Sequence, residues 1–505
     1  MTRVLAIDQS TSATKALLFD ASGRRVDRES REHRQFYPQP SWVEHDAEEI
    51  WQNTLAVTTA LLERHKDIRD DLTCISITNQ RETIVVFDRG TGRPLHPAIV
   101  WQCRRSDDLC AALEASGHGS LIHLRTGLRL DAYFSGSKLK WLVQNRPDLR
   151  AKLENGEALV GTIDAYLVYR LTAGRVFATD PTNASRTLLY DIGRLRWDEE
   201  LCALFEVPMP ALPEVRDSEA HFGETDLDGV LDRPVPIVGV MGDSQAALFA
   251  QRCFEPGTGK VTFGTGSSVL LNIGGQFKRS ELGVVTALAW VRDGEPVYAF
   301  EGIIVSSGAA LTWLQEQLGL FRDISEVESL AGEVPDTGGV FLVPAFSGLG
   351  LPHWAPSARG AIVGLSGHSD RRHVARAALE SMAYQLRDAL DAMQSEGDVA
   401  VRSLKADGGP TTNELLMQFT ADVSEATLTV SEAPDCSALG ATLMGLLGSG
   451  IYTSLESIAQ LEFSGRVYRP GMSHAAVESL LTDWQRAVGQ VLSGVSGQST
   501  SGTVD

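Results

Sequence analysis

The chain has 505 residues, enough for two domains of roughly 250 residues rather than one core. Hydrophobic residues make up 43% and charged residues 22%, a composition that excludes wholesale disorder. The formal charge of −20 argues against nonspecific binding to nucleic acid or to an anionic membrane, because both repel such a chain. A local basic pocket for a phosphorylated ligand is still allowed. The six cysteines stand far apart with no C-x-x-C pair, so neither a zinc ribbon nor a dithiol redox motif is expected. Low cysteine density fits a reducing compartment. The N-terminus carries no basic-then-apolar leader, and no apolar run approaches the length of about eighteen residues that a membrane span needs. The expectation is a soluble, cytoplasmic protein without a nucleic-acid or membrane partner.

In chain order, VLAI, DQSTSAT, KALLF and DASG open the sequence, two apolar runs about a polar turn. That pattern predicts a β-hairpin followed by a second turn. Asp46 before Glu48 and Glu49 reads as a helix N-cap, and Ile50, Thr54, Val57 and Leu61 extend the helix over about 47–65. Thr73–Thr78 and Thr83–Asp88 read as strands around the polar turn 79–82. The run PIVGVM, 236–241, predicts a strand buried on both faces. It leads through Gly242, Asp243 and Ser244 into a helix, with acid and hydroxyl at the N-cap. The hairpin signal then returns as KVTF, GTGSS and VLLNI, from Lys260 onward, which suggests an internal duplication. Val374, Ala378, Met382, Leu386, Leu390 and Met393 form a helical stripe after Asp370. An α/β chain in two halves follows, 1–250 and 251–490, with a Ser/Gly/Thr-rich tail, 491–505, read as disordered.

Tight turns of Ser, Thr and Gly expose backbone N–H groups and hydroxyl donors that suit phosphate oxygens. Thr11 and Ser12 in the first turn, and Gly264, Thr265 and Gly266 in the second, are the candidates; ordinary hairpin chemistry accounts for either turn alone. Asp8 beside the first turn would repel phosphate unless a divalent cation lies between, which points to a Mg²⁺-nucleotide. Gly409, in Asp407-Gly408-Gly409 before a helix near Glu414, could let a ligand approach the backbone, and Gly308 is similarly small. Arg81 with Glu82 could be a surface ion pair or a donor–acceptor set for polyol hydroxyls. Trp101 could be core or a wall against such a ligand. Asp243, after a buried strand, could be an N-cap or an acid at the carboxyl end of a sheet, where open α/β folds bind ligands. Metal-binding histidine spacing, the P-loop and the H-R-D catalytic loop are all missing from the sequence.

The residues from Tyr133 to Asn145, YFSGSKLKWLVQN, and from Gly360 to Leu365, GAIVGL, resemble the two signatures of the FGGY carbohydrate kinases. The segments SWVEHDAEEIW, ITNQRET, AIVWQCRR, TNASRT and LPEVR are most similar to the glycerol kinases of that family. The resemblance implies two ribonuclease H-like domains, as in actin and hexokinase, around a catalytic cleft. It implies ATP and Mg²⁺ as cofactors, a small polyol as acceptor, and transfer of the γ-phosphoryl group to a terminal hydroxyl of glycerol. The oligomer stays open, a homodimer or a homotetramer. Carried onto this sequence, Arg81, Glu82, Tyr133 and Asp243 hold the polyol, with Trp101 against its carbons and Asp243 as base. Thr11, Thr265, Gly308, Gly409 and Asn413 meet the nucleotide, and Asp8 with Asp243 faces Mg²⁺. Four departures stand out: Ser10 for a glycine and Lys15 for an arginine in the first hairpin, Ser244 for a glutamine and Ser268 for an aromatic residue beside the acceptor. The last two remove volume and open an alternative, a larger polyol or ketose such as a tetritol. A noncatalytic sugar sensor on the same scaffold is a further alternative.

Overall fold

Each half of the chain is built on a hairpin laid beside parallel strands. The computed structural model describes residues 2–433, 435–462 and 464–496. The first sheet runs in the order His221–Thr225, Val235–Gly242, Leu72–Asn79, Arg3–Gln9, Ala13–Asp20, Arg25–Glu32. Its last three strands are an antiparallel meander, and the three around Leu72–Asn79 are parallel. The second sheet runs Val285–Arg292, Glu295–Ile304, Ser267–Gly274, Thr258–Phe263, Ser403–Asp407, Thr427–Ser431, Gly465–Tyr468. Here too antiparallel strands give way to parallel strands and the sheet ends on an antiparallel edge. Apart from one extra strand the two sheets match in order and direction, so the repeat of the hairpin signal extends to whole sheets.

Some helices begin where a side chain satisfies their free N–H groups. Asp46 accepts from the N–H groups of Glu48 and Glu49, opening the helix Ala47–Arg64. Asp370 opens the long helix Arg371–Gly397, and its apolar stripe, Ala378 to Met393, is buried in the core of the second half. Thr73–Thr78 falls in the strand Leu72–Asn79, and Thr83–Asp88 corresponds to the strand Ile84–Asp88, which begins one residue later; the two do not form one hairpin. The first belongs to the six-stranded sheet and the second to a separate five-stranded sheet. Residues 79–82 therefore carry the chain from one sheet to another. The C-terminal expectation changes as well. The helix His474–Ser496 continues into the stretch read as a tail, because its apolar face packs on the second core through Val477, Leu481, Trp484 and Val488. The remaining tail residues, 497–505, lie outside the described residues.

One element of the second half covers the first sheet. The helix Cys436–Gly448 packs on the strands Val235–Gly242, Leu72–Asn79 and Arg3–Gln9 and on the helix Asp243–Ala250. Close approach requires glycine: a Cβ at Gly440 would stand 1.8 Å from the Ala246 carbonyl oxygen. Val4, Ala6, Met241, Leu248, Leu443 and Met444 bury together at this junction. Among the described residues, no helix is long and apolar enough to cross a membrane.

Candidate active site

Three recesses meet around the second hairpin. An acceptor-side cleft of about 450 Å³ is lined by Thr11, Arg81, Glu82, Trp101, Tyr133 and Asp243, with Ser244 and Ser268. A central recess of about 570 Å³ is lined by Asp8, Lys15, Lys260 and Asp407, and it shares Asp243, Ser244, Thr262 and Ser268 with the first. A nucleotide-side recess of about 550 Å³ holds Thr265, Gly308, Gly409 and Asn413, and it shares Gly264 with the acceptor cleft. A groove of about 690 Å³ along Phe36, Tyr37, Pro94 and Pro97 includes none of these candidates.

Arg81 and Glu82 are not a surface pair. Their side chains are 7% and 2% exposed, and they join Arg186 and Glu301 in a buried ring of alternating charge. Arg81 Nη2 donates to Glu301 Oε1 at 3.2 Å, and Arg186 Nε donates to Glu82 Oε1 at 2.5 Å. Arg186 Nη1 closes the ring on Glu301 Oε2. Such burial is tolerable only because every charge has an opposite neighbour. Burial would raise the Glu301 carboxyl, but Arg186 and Arg81 hold it down at about 2. Burial pushes Glu82 upward despite the same two guanidinium groups. Glu82 also holds a left-handed backbone, φ 61°, a conformation that costs a side-chain-bearing residue energy and concentrates at functional sites.

Asp243 is the first residue of its helix. Gly242 precedes it as the N-cap and no side chain caps that end, so the capping alternative fails. Its Oδ1 accepts from its neighbour Ser244 N–H at 2.7 Å and meets Arg81 Nε at 3.1 Å. Both contacts fall on one oxygen, and the side chain is 39% exposed to the cleft. Ser437 Oγ donates to the Asp243 carbonyl at 3.0 Å, so the helix from the second half fixes this backbone.

The other acceptor-side candidates assemble around that ring. The Trp101 and Tyr133 rings lie 5.3 Å apart, and the Trp101 indole N–H donates to Thr11 Oγ1 at 3.0 Å. Thr11 thus lines the acceptor cleft, apart from Thr265. Burial and the Glu82 carboxylate push the Tyr133 hydroxyl well above its ordinary value. Buried Lys138 donates to the carbonyls of Ala132, at 2.6 Å, Tyr133 and Phe134, clamping the loop that presents Tyr133. Burial pushes the Lys138 ammonium down to about 7.

In the first hairpin Asp8 stands opposite Lys15, which places both on one face, and Lys15 Nζ meets Asp8 Oδ2 at 2.9 Å. Burial pushes the Asp8 carboxyl up, and Lys15 opposes that shift. Ser12 is exposed at the hairpin tip and lines none of the three recesses. Among the described residues no cluster of three or more His, Cys, Asp or Glu could hold a metal unaided. Mg²⁺ asks for less: one or two carboxylates, several waters and the substrate's phosphates. Asp8 and Asp243, facing the same recess, fit that demand.

On the nucleotide side the turns dock on each other through backbone. Gly308 N–H donates to the Gly264 carbonyl at 2.9 Å, and Ala309 N–H donates to the Thr265 carbonyl at 3.0 Å. A Cβ at Gly308 would stand 2.6 Å from the Gly264 oxygen, so only glycine fits. Asn413 Oδ1 caps the helix Glu414–Ser424 through Leu416 N–H at 2.8 Å. A Cβ at Gly409 would meet nothing within 4 Å, and this residue lines the recess.

The match to known proteins covers both halves. Residues 3–250 match the N-terminal domain model of the FGGY family of carbohydrate kinases, and residues 259–449 match its C-terminal domain model. The chain belongs to the FGGY family of carbohydrate kinases. It is 45% identical to a glycerol kinase of Desulfitobacterium hafniense over 97% of this chain and 99% of that protein. Identity to a glycerol kinase of Carboxydothermus hydrogenoformans is 46%, over 96% and 97% of the two chains. A crystal structure of Plasmodium falciparum glycerol kinase with ADP superposes at a TM-score of 0.92, with 36% identity and coverage of 97% and 98%.

Arg186, Glu301, Lys260 and Lys138 were not singled out as site residues by the sequence reading. Glu301 had a signal: it follows the apolar run VYAF within the strand EPVYAFEGII, whereas Glu295 stands at the exposed start, and a buried charge there needs a partner. Arg186 and Lys138 lay within the TNASRT and YFSGSKLKW segments without a role. Lys260 opens the second hairpin, and its Nζ donates to Thr262 Oγ1 at 2.8 Å.

Proposed function

We propose that this FGGY kinase transfers the γ-phosphoryl group of ATP to a terminal hydroxyl of glycerol. The supporting observation is the position of Asp243, which lines both the charged acceptor cleft and the recess of Asp8 and Lys15. A hydroxyl held by Arg81, Glu82 and Tyr133 would meet the free Oδ2 of Asp243. That oxygen would take the hydroxyl proton as the new O–P bond forms and the bond from the γ-phosphorus to the bridging oxygen breaks, releasing ADP. Arg81 Nε and the Ser244 N–H keep the other oxygen engaged and so orient the carboxylate. That general-base help is worth roughly 10²–10⁴-fold. The nucleotide would lie against Thr265, Gly308, Gly409 and Asn413. Its phosphates would reach the central recess, where the Lys15 and Lys260 ammonium groups offset spreading negative charge. Asp8 and Asp243 would hold Mg²⁺, which when bound would supply further neutralisation of the phosphates.

A second reading of the acceptor rests on Ser244 and Ser268. Both short side chains line the wall between the acceptor cleft and the central recess, leaving room for another hydroxymethyl group. ADP release measured across glycerol, tetritols, pentitols and short ketoses separates the readings. Efficient turnover of glycerol supports the first, a preference for tetritols supports the second, and no acceptor-dependent ADP supports a sensor. A cytoplasmic homodimer or homotetramer completes the proposal, and light scattering on the purified protein distinguishes the two assemblies.

A further inference from the structure

The buried ring has a feature that acceptor contacts alone do not explain. Arg81, Glu82 and Arg186 come from the first half of the chain, whereas Glu301 lies on the strand Glu295–Ile304 of the second sheet. Its two oxygens are divided between two cations, Oε1 to Arg81 and Oε2 to Arg186. Arg81 is thereby held on three sides: Nε by Asp243, Nη1 by Gln245 at 3.2 Å and Nη2 by Glu301 at 3.2 Å. Without the Glu301 charge, two buried guanidinium groups would face each other with Glu82 alone between them. Their repulsion would displace Arg81 from the orientation in which its Nε meets Asp243.

Stability gives little reason for such a ring. Well-packed apolar residues of the same volume often serve as well or better than buried ion pairs. The ring instead lies directly behind the acceptor cleft, whose walls include Glu301 itself. We propose that Glu301 is a positioning residue for the acceptor, a clasp from the second sheet that pairs with Arg186 behind the cleft and so holds Arg81 in its substrate-binding orientation. Polyol affinity then depends on how the two sheets seat against each other. This inference rests on the acceptor reading given above.

The test is a KM comparison on the full-length protein with Mg²⁺-ATP and its best polyol. Glu301→Gln keeps the shape and removes the charge; the expected result is a KM for polyol raised about ten- to hundredfold, with the KM for ATP within about twofold of wild type. Glu301→Asp retains the charge at shorter reach and should recover part of that loss. Placed on an Arg81→Ala background, Glu301→Gln should add little, because it acts through Arg81. Equal rises in both KM values, or an unchanged KM for polyol, would overturn the inference. Failure of both single variants to fold would do the same, by assigning Glu301 to stability. A wild type that turns over no polyol defeats the acceptor reading, and this inference with it; polyol turnover with an unaltered Glu301→Gln defeats the inference alone.

Discussion

The acceptor-side cleft and the nucleotide-side recess share Gly264 but are built from different chemistry. On the acceptor side the working groups are long charged side chains, and each is engaged by another: Arg81 by Glu301, Gln245 and Asp243, and Arg186 by Glu82 and Glu301. On the nucleotide side they are backbone atoms and small residues, with Gly264, Thr265 and Gly308 bonded to one another through the main chain. Under the proposed function the contrast suits the two ligands. A small polyol offers only hydroxyls, so its recognition needs fixed donors and acceptors that are oriented before it arrives. A nucleotide brings charged phosphates and a flat base, and exposed N–H groups at glycine turns can meet the former at close range. Each side should therefore fail in its own way.

Asp243 stands where the two regions join, and its loss should be the largest single effect. Asp243→Asn is expected to lower kcat by roughly 10²–10⁴-fold with nucleotide binding retained, as read by steady-state rates and by calorimetry with ADP. A variant keeping a tenth of wild-type kcat would remove Asp243 from the role of base. Arg81→Ala should break the acceptor side alone. Lost charge-assisted hydrogen bonds of about 1.5–3 kcal/mol should raise the KM for polyol far more than that for ATP. Equal losses for both substrates would make Arg81 a structural partner of Glu82 and Glu301.

The opposite break belongs to Gly308→Ala. The added methyl collides with the Gly264 oxygen and should raise the KM for ATP about tenfold, an overpacking cost of 1–3 kcal/mol, while the KM for polyol moves less. If the polyol KM suffers more, the two sides are not separable. The smallest effect is expected from filling the wall between cleft and central recess. Ser244→Gln with Ser268→Phe should shift preference from tetritol toward glycerol by about 1 kcal/mol, the low end for one carbon unit. An unchanged ratio of kcat/KM values would mean that neighbouring side chains already set the length limit.

The same contrast governs how much of the molecule was legible from sequence. The hairpin turns at Ser10–Ser12 and Gly264–Gly266 are local, as are the caps at Asp46 and Asp370, so residue order alone announces them. The nucleotide side is built largely from such turns. The acceptor side is not: Arg81 and Glu301 are 220 residues apart in sequence, and Arg186 and Glu82 are 104 apart. Periodicity carries no information on such pairings, and the ring could be read only as an isolated Arg81–Glu82 dipeptide. The segment 79–82 reads as a polar turn between two strands, but strand propensity does not say which sheet a strand joins. Asp243 resembled a helix cap because acid at a helix start usually is one. Here Gly242 takes that position, and the carboxylate is released toward Arg81 and the cleft.

The most direct test of the account is phosphorus NMR of the purified chain turning over Mg²⁺-ATP in the presence and absence of glycerol and a tetritol. The expected result is one phosphate monoester of the polyol for each ADP formed, with ADP release dependent on the acceptor and abolished in Asp243→Asn. ADP accompanied by inorganic phosphate in place of an ester, or released at the same rate without any polyol, would contradict it.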